Sequence, residues 1–362
     1  MARVAIVSPS FSTADAVTND ALGMLEALTR RGNEVRLFAE SHSLREPRVR
    51  DLAAVSGFLK HPRDLLLYHH SRGWSAGVEL LAQLNCRRVI KYHNVTPARF
   101  FKGFSSYDEE QCELGRRQLI DLARAECDLY LSASAFSMHE LIAAGAPQAK
   151  SFVVPPFHHI DRLARLPADQ ATVDKYSDGA ANILAVGRVV PHKGYLQLVD
   201  VFARYYHEYN RHSRLIIVGK GGEGFSPYAK QLHRAVERAG LKAAVVFAGG
   251  VSDEVLKAWY VVADVFVTTS EHEGFCVPLV EAMSMKLPIA AFASSAIGET
   301  VGNAGIVWSE RNPLLLAESI DVFLRDSSVR DALALRGLRR YESTFSNQEI
   351  EERFLEAMDG LQ

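Results

Sequence analysis

The sequence predicts an α/β protein built from two doubly wound parallel sheets. Three observations carry this. The chain has 362 residues, the length of two ordinary domains. Short apolar runs alternate throughout with longer amphipathic stretches, the rhythm of βαβ units. That rhythm stops after Pro155-Pro156-Phe157 and restarts near residue 180.

In the first half the strand candidates are Arg3–Val7, Val35–Phe38, Leu65–Tyr68, Val89–Tyr92, Leu129–Ser132 and Phe152–Val154. Helical patterns lie between them, as at Asp20–Arg31, which closes on Gly32, and Leu114–Arg124. In the second half the strands read Ile183–Val186, Arg214–Val218, Val245–Phe247, Val265–Thr268, Ile289–Phe292 and Gly305–Val307. Leu166 to Asp178 is polar and without periodicity, and reads as the linker. The expected divisions are therefore 1–165, 166–340, and a charged helical tail, 341–362, that can pack back on the first domain.

Composition narrows the function. Lys plus Arg number 41 and Asp plus Glu 43, a net charge of −2, with 23% charged and 48% hydrophobic residues. These ordinary values exclude a disordered chain and a dedicated nucleic-acid binder with a strongly basic surface. Cys86, Cys112, Cys127 and Cys276 are scattered without a C-x-x-C pair, against structural zinc and a disulfide scaffold. No apolar run is long enough to span a membrane, and Met1 leads straight into a strand, not a secretory signal. The expected location is the cytoplasm.

The densest chemical signal is EHEGFCVPLVEAM, Glu271–Met283, which follows the apolar run VFVTTS and opens a helix with Pro278 in its first turn. Free N–H groups at such a start favour a phosphate. Gly274 bares the backbone there. Glu273 falls in the loop, and Glu281 about one turn into the helix. Their spacing alone says nothing; the strand-to-helix context does. Glu271-His272-Glu273 also offers three ligand types in a row, but neighbours at a strand end point different ways, so no metal is expected. Ile183–Phe202 is a strand, a short loop and a helix carrying Arg188 and Lys193, cations suited to a diphosphate, against the plain alternative of two solvated surface charges. Ile216–Gly224 runs a strand into a glycine loop without the G-x-G-x-x-G order.

Together these stretches resemble the retaining glycosyltransferases of family four, whose GT-B fold sets two Rossmann-like domains around a central cleft. The resemblance rests on Gly187-Arg188 with Lys193-Gly194, Val218-Gly219-Lys220-Gly221, Ala263-Asp264 with Ser270, and Glu273 through Met283. In the first half it is looser: Tyr92-His93-Asn94, Asp128 to Ser132, and Pro155-Pro156. It implies a metal-independent hexosyltransferase resembling bacterial polysaccharide mannosyltransferases, with no cofactor. The donor is a nucleotide sugar, GDP-mannose or a UDP-hexose, and the acceptor a glycan or lipid-linked saccharide.

By the same resemblance, Arg188 and Lys193 hold the diphosphate and Glu281 the ribose. Glu273 contacts the sugar, the N–H groups of Gly274, Phe275 and Cys276 line its site, and His93 faces it from the first domain. Two departures stand out: Cys276 where the family often has glycine, and Pro9 to Thr13 in place of a glycine pair. A nucleotide-sugar epimerase or hydrolase, or a silent nucleotide-sugar binder, is the alternative. Lys60, Arg63, Arg72, Arg87, Arg88, Lys91, Arg99 and Lys102 read either as an ordinary solvated face or as weak attraction to an anionic membrane.

Overall fold

In the computed structural model, which describes residues 2–13, 15–221 and 226–361, the chain forms two compact units. Unit 1 comprises Met1–Arg99, Tyr107–His159 and Ser346–Gln362, and unit 2 comprises Phe100–Ser106 and Ile160–Phe345. After the short excursion of Phe100–Ser106 into unit 2, the chain passes to that unit for its long stretch at His159/Ile160. The stretch read as a linker contains a helix, Gln170–Tyr176, capped by the Asp169 carboxylate on the Thr172 N–H. A helix of 7 residues, about two turns, is too short to show periodicity, and the cap is its clearest sequence signal.

Among the described residues the strands are β1 (Arg3–Val7), β2 (Ser10–Phe11), β3 (Glu34–Ala39), β4 (Ser41–His42), β5 (Val49–Asp51), β6 (Leu65–His70), β7 (Arg87–Tyr92), β8 (Leu129–Ser132), β9 (Ser151–Val153), β10 (Ala181–Val186), β11 (Ser213–Val218), β12 (Val245–Gly249), β13 (Val265–Thr268), β14 (Ile289–Phe292) and β15 (Gly305–Trp308). Every expected strand is present. The short β2, β4 and β5 were not expected; two or three residues carry no alternation to read.

Unit 1 holds a seven-stranded parallel sheet in the order β5-β3-β1-β6-β7-β8-β9, and β2 pairs with β4 in a small separate ladder. Helices cover both faces, so the strands are continuous apolar runs. Val4 to Val7 and Leu66 to Tyr68 are all 2% exposed or less. The helix Ala16–Arg30 begins at Asp15, which accepts from the Thr18 N–H, and buries Ala21, Met24, Leu25 and Leu28 at helical spacing. The final helix, Asn347–Asp359, places Ile350, Phe354 and Ala357 in this same core, with Phe354 edge-on to Phe157.

Unit 2 holds a six-stranded parallel sheet in the order β12-β11-β10-β13-β14-β15. The chain winds outward from β10 to β12, then returns to the other side of β10 for β13 to β15. The strand order therefore reverses between β10 and β13, and ligands of doubly wound sheets bind beyond the carboxyl ends of the strands at such a switch point. The segment Phe100–Ser106 joins this unit through aromatic contacts: Phe101 stands edge-on to His192 at 5.6 Å, and Phe104 edge-on to Tyr228 at 5.6 Å.

Lys91 departs from the sequence reading. Counted there among surface cations, it lies fully buried in β7 with its ammonium on the Val154 carbonyl and 3.6 Å from Asp20. A central parallel strand is covered on both faces, so it has no solvent side for a charge.

Candidate active site at the switch point of unit 2

The loops after β10 and β13 meet at the switch point and are stitched together by three contacts. Gly194 sits at φ +67, and a Cβ there would lie 2.2 Å from the Thr269 carbonyl, so only glycine lets the loops close. The Thr269 hydroxyl donates to the Gly194 carbonyl at 2.9 Å. The Glu271 N–H donates to the His192 carbonyl at 2.7 Å.

This closure brings Lys193 to Glu273. The Lys193 ammonium donates to Glu273 Oε1 at 2.6 Å, with the two side chains 16% and 9% exposed. The Glu273 N–H donates to the Ser295 hydroxyl at 2.7 Å, which anchors the loop from the far side. Arg188 is exposed and pairs with no carboxylate among the described residues. Burial, first, and then the charges of Lys193 and Arg188 hold the His192 imidazole well below its ordinary pKa.

The helix Val277–Ser284 opens at Cys276, whose backbone is left-handed at φ +77. That conformation is uncommon for any residue but glycine, which is why a glycine is at home there. Burial, first, and the Glu273 carboxylate push the Cys276 thiol well above its ordinary pKa, so it stays protonated. Phe275 is buried, and its carbonyl accepts from the Thr300 hydroxyl at 2.9 Å. Glu281, one turn into the helix, is 4% exposed and accepts from the Tyr260 hydroxyl at 2.7 Å. Tyr260 lies on the helix Asp253–Val262 and was invisible to the sequence reading, because its partner is 21 residues away.

Glu271, His272 and Glu273 do not converge on one point. Glu271 pairs with Arg311 at 3.0 Å, Glu273 with Lys193, and the His272 ring lies 6.3 Å from the Phe100 ring. At the end of β11, a Cβ on Gly219 would lie 2.0 Å from the Gly187 carbonyl, so this glycine lets β10 and β11 end side by side. Two further glycines of that loop, Gly222 and Gly224, lie outside the described residues.

His93 belongs to unit 1, immediately beyond β7. Its Nε2 lies 2.9 Å from His69 Nδ1 and 3.4 Å from Asp20 Oδ2. Burial and the neighbouring His69 and Lys91 hold its pKa well below the ordinary value, so the ring is neutral. The sequence reading singled out His93 but neither Asp20 nor His69. The three come from separate elements, and no local spacing links them.

The sequence and the fold have counterparts. The family described as "Glycosyl transferases group 1" matches residues 173–340. That segment is a group 1 glycosyl transferase domain. The chain is 31% identical over 216 residues to the O-antigen chain mannosyltransferase B of Escherichia coli, covering 58% of this chain and 55% of the relative. It is 27% identical over 221 residues to the GDP-mannose-dependent alpha-(1-6)-phosphatidylinositol monomannoside mannosyltransferase of Mycobacterium tuberculosis, covering 58% and 56%. The chain thus spans little more than half the length of these curated relatives.

Among solved structures, Anabaena Alr3699/HepE in complex with UDP and glucose matches with a TM-score of 0.77 at 17% identity, over 99% of this chain and 100% of that one. The group 1 domain lies in a chain of GT-B architecture, with one parallel sheet in each unit. Among the described residues no helix is long and apolar enough to cross a membrane.

Proposed function

We propose that this chain is a metal-independent, retaining hexosyltransferase that moves a hexose from a nucleotide diphosphate sugar to a hydroxyl of a glycan or lipid-linked saccharide. The observation that carries the reading is the Lys193–Glu273 pair, held at the switch point of a group 1 glycosyl transferase domain. The names of the relatives support mannose as the sugar and GDP-mannose as the donor; a UDP-hexose is the second choice.

In this reading Arg188 and Lys193 neutralise the diphosphate, and the N–H groups at the start of the helix Val277–Ser284 add a positive field. Negative charge grows on the departing phosphate as the glycosidic bond breaks, so the two cations act most strongly in the transition state. Glu281, fixed by Tyr260, takes the ribose hydroxyls. Glu273 turns from Lys193 toward the sugar. The leaving phosphate oxygen helps remove the acceptor proton on the same face, which preserves the anomeric configuration.

Melting curves with UDP, GDP, ADP and their sugars identify the donor by stabilisation. Incubation of the donor with and without acceptor extract then tests transfer. Product formation that needs acceptor, with retained anomeric configuration by NMR, is the expected result. Donor turnover without acceptor would replace the reading with an epimerase or hydrolase. An inverted product would overturn the retaining assignment.

A further inference from the structure

The turn that carries His93 is held from the opposite face of its sheet. Side chains alternate across a strand, and the ring contacts of β7 follow this: His93 stacks on His69 at 5.1 Å, and Tyr92 on His70 at 5.8 Å. Tyr92 and Asn94, on either side of His93, both reach one carboxylate, that of Glu140 on the helix Ala135–Ala144. The Tyr92 hydroxyl donates to Glu140 Oε2 at 3.0 Å, and the Asn94 amide donates to the same oxygen at 2.7 Å. The other oxygen, Oε1, accepts from Arg116 of the helix Ser106–Ala123 at 3.2 Å.

The same groups close the turn behind His93. The Val95 N–H donates to the Tyr92 hydroxyl oxygen at 3.3 Å, and Arg116 donates to the Val95 carbonyl at 2.9 Å. Asn94 has a left-handed backbone at φ +76, a conformation that most side chains avoid and asparagine tolerates. Its amide also donates to the Ser137 hydroxyl at 3.2 Å, so two acceptors on one helix hold this side chain. Burial, first, and the Glu140 carboxylate raise the Tyr92 hydroxyl well above its ordinary pKa, which keeps it a donor. These bonds grip residues 92, 94 and 95, and act on the His93 ring through the backbone between them.

We propose that Glu140 is a positioning residue: by gripping Tyr92 and Asn94 together it holds the turn in its left-handed form and fixes the direction in which His93 leaves the carboxyl end of β7. Doubly wound sheets bind their ligands beyond that end of the strands. A carboxylate suits the task, because its two oxygens accept several bonds at once and those bonds are charge-assisted. An effect on catalysis rests on the transferase reading above and on the substrate-facing role that the family resemblance implies for His93; the position of the ring does not.

The test is NMR of the full chain labelled at histidine, with His93→Gln identifying the His93 signals. In Glu140→Ala the turn loses its grip, and the His93 ring signals should move or broaden. In the same variant kcat should fall about tenfold or more, while donor affinity measured by melting stays within about twofold, because Arg188, Lys193 and Glu281 all lie on unit 2. Glu140→Gln is the conservative control: its amide oxygen still accepts from both Tyr92 and Asn94, so kcat and the His93 signals should stay near those of the unsubstituted protein. Unmoved His93 signals in a folded Glu140→Ala protein overturn the proposal, as does a loss in Glu140→Gln equal to that in Glu140→Ala. If Glu140→Ala does not fold, Asn94→Gly decides in its place, since glycine adopts the positive φ without strain and only the amide grip is lost; unmoved His93 signals there overturn the proposal equally. Because the spectrum needs no turnover, an inactive protein whose His93 signals respond as expected would count against the transferase reading and not against the role of Glu140.

Discussion

Replacing Lys193 by alanine removes one half of an ion pair with a donor–acceptor distance of 2.6 Å. The two side chains are 16% and 9% exposed, so solvent screening reduces the interaction only modestly. Stranding one member of a fully buried pair costs about 3–5 kcal/mol; the partial exposure of the lysine lowers this to roughly 2–3 kcal/mol. For a domain of this size each kcal/mol shifts melting by about 2–4 °C, so Lys193→Ala should melt roughly 4–12 °C lower. Adding Glu273→Gln removes the stranded charge and should recover most of that loss. The catalytic effect is separate: losing a preorganised cation from the departing diphosphate costs about 2–4 kcal/mol, a fall in kcat of roughly 30- to 900-fold. Steady-state kinetics with saturating donor, at a temperature where circular dichroism shows a folded variant, measures it. Unchanged kcat and kcat/KM in Lys193→Ala would refute the clamp. Loss of activity in EDTA, restored by a divalent ion, would refute the metal-free mechanism.

Glu281→Ala should mainly raise the donor KM, because ribose contacts change little during reaction. Tyr260→Phe should do the same, by at most about 1.5–3 kcal/mol for one hydrogen bond to a charged group; a kcat effect with unaltered KM would exclude the ribose role. Gly194→Ala forces a Cβ to within 2.2 Å of the Thr269 carbonyl at a positive φ. It should destabilise unit 2 by at least about 1–3 kcal/mol and abolish donor-induced stabilisation in melting curves; normal melting and binding would show that the loops do not depend on this contact. Stability should also fall as pH drops from 6.5 toward 4. Burial lowers the His69 pKa to about 3 and that of His70 to about 4, so the unfolded chain takes up these protons first and the stability present above 6.5 is lost on acidification. Asp20, pushed up by burial to about 6, works in the opposite direction and offsets only part. A flat melting temperature across that range would contradict the two buried neutral histidines.

Much of this molecule is legible from its residues. Runs such as VAIV and LLLY, bounded by helical patterns, read as strands covered on both faces, and the strand-to-helix setting of Glu273 singled it out where spacing could not. Lys193 and Glu273 were each identified as candidates, yet their direct pairing depends on Gly194 closing one loop on Thr269, a contact across 75 residues. Lys91 misled because a lysine near a strand end ordinarily reaches water, and the Asp20 that receives it lies 71 residues earlier. Tyr260 and His69 escaped for the same reason. A hydrogen bond between side chains on different elements has no signature in the local pattern of either.

The route of the chain through the two units carries a consequence for its synthesis. Unit 1 begins first, yet its core includes Ile350, Phe354 and Ala357 from the last helix. Unit 2 has all of its residues once Phe345 has left the ribosome. The half begun first is therefore finished last, and its sheet waits with the surface under Phe157 uncovered while the whole of unit 2 is made and can fold. A nascent chain halted before Ile350 should carry a folded unit 2 beside an incomplete unit 1, open to chaperones and proteases.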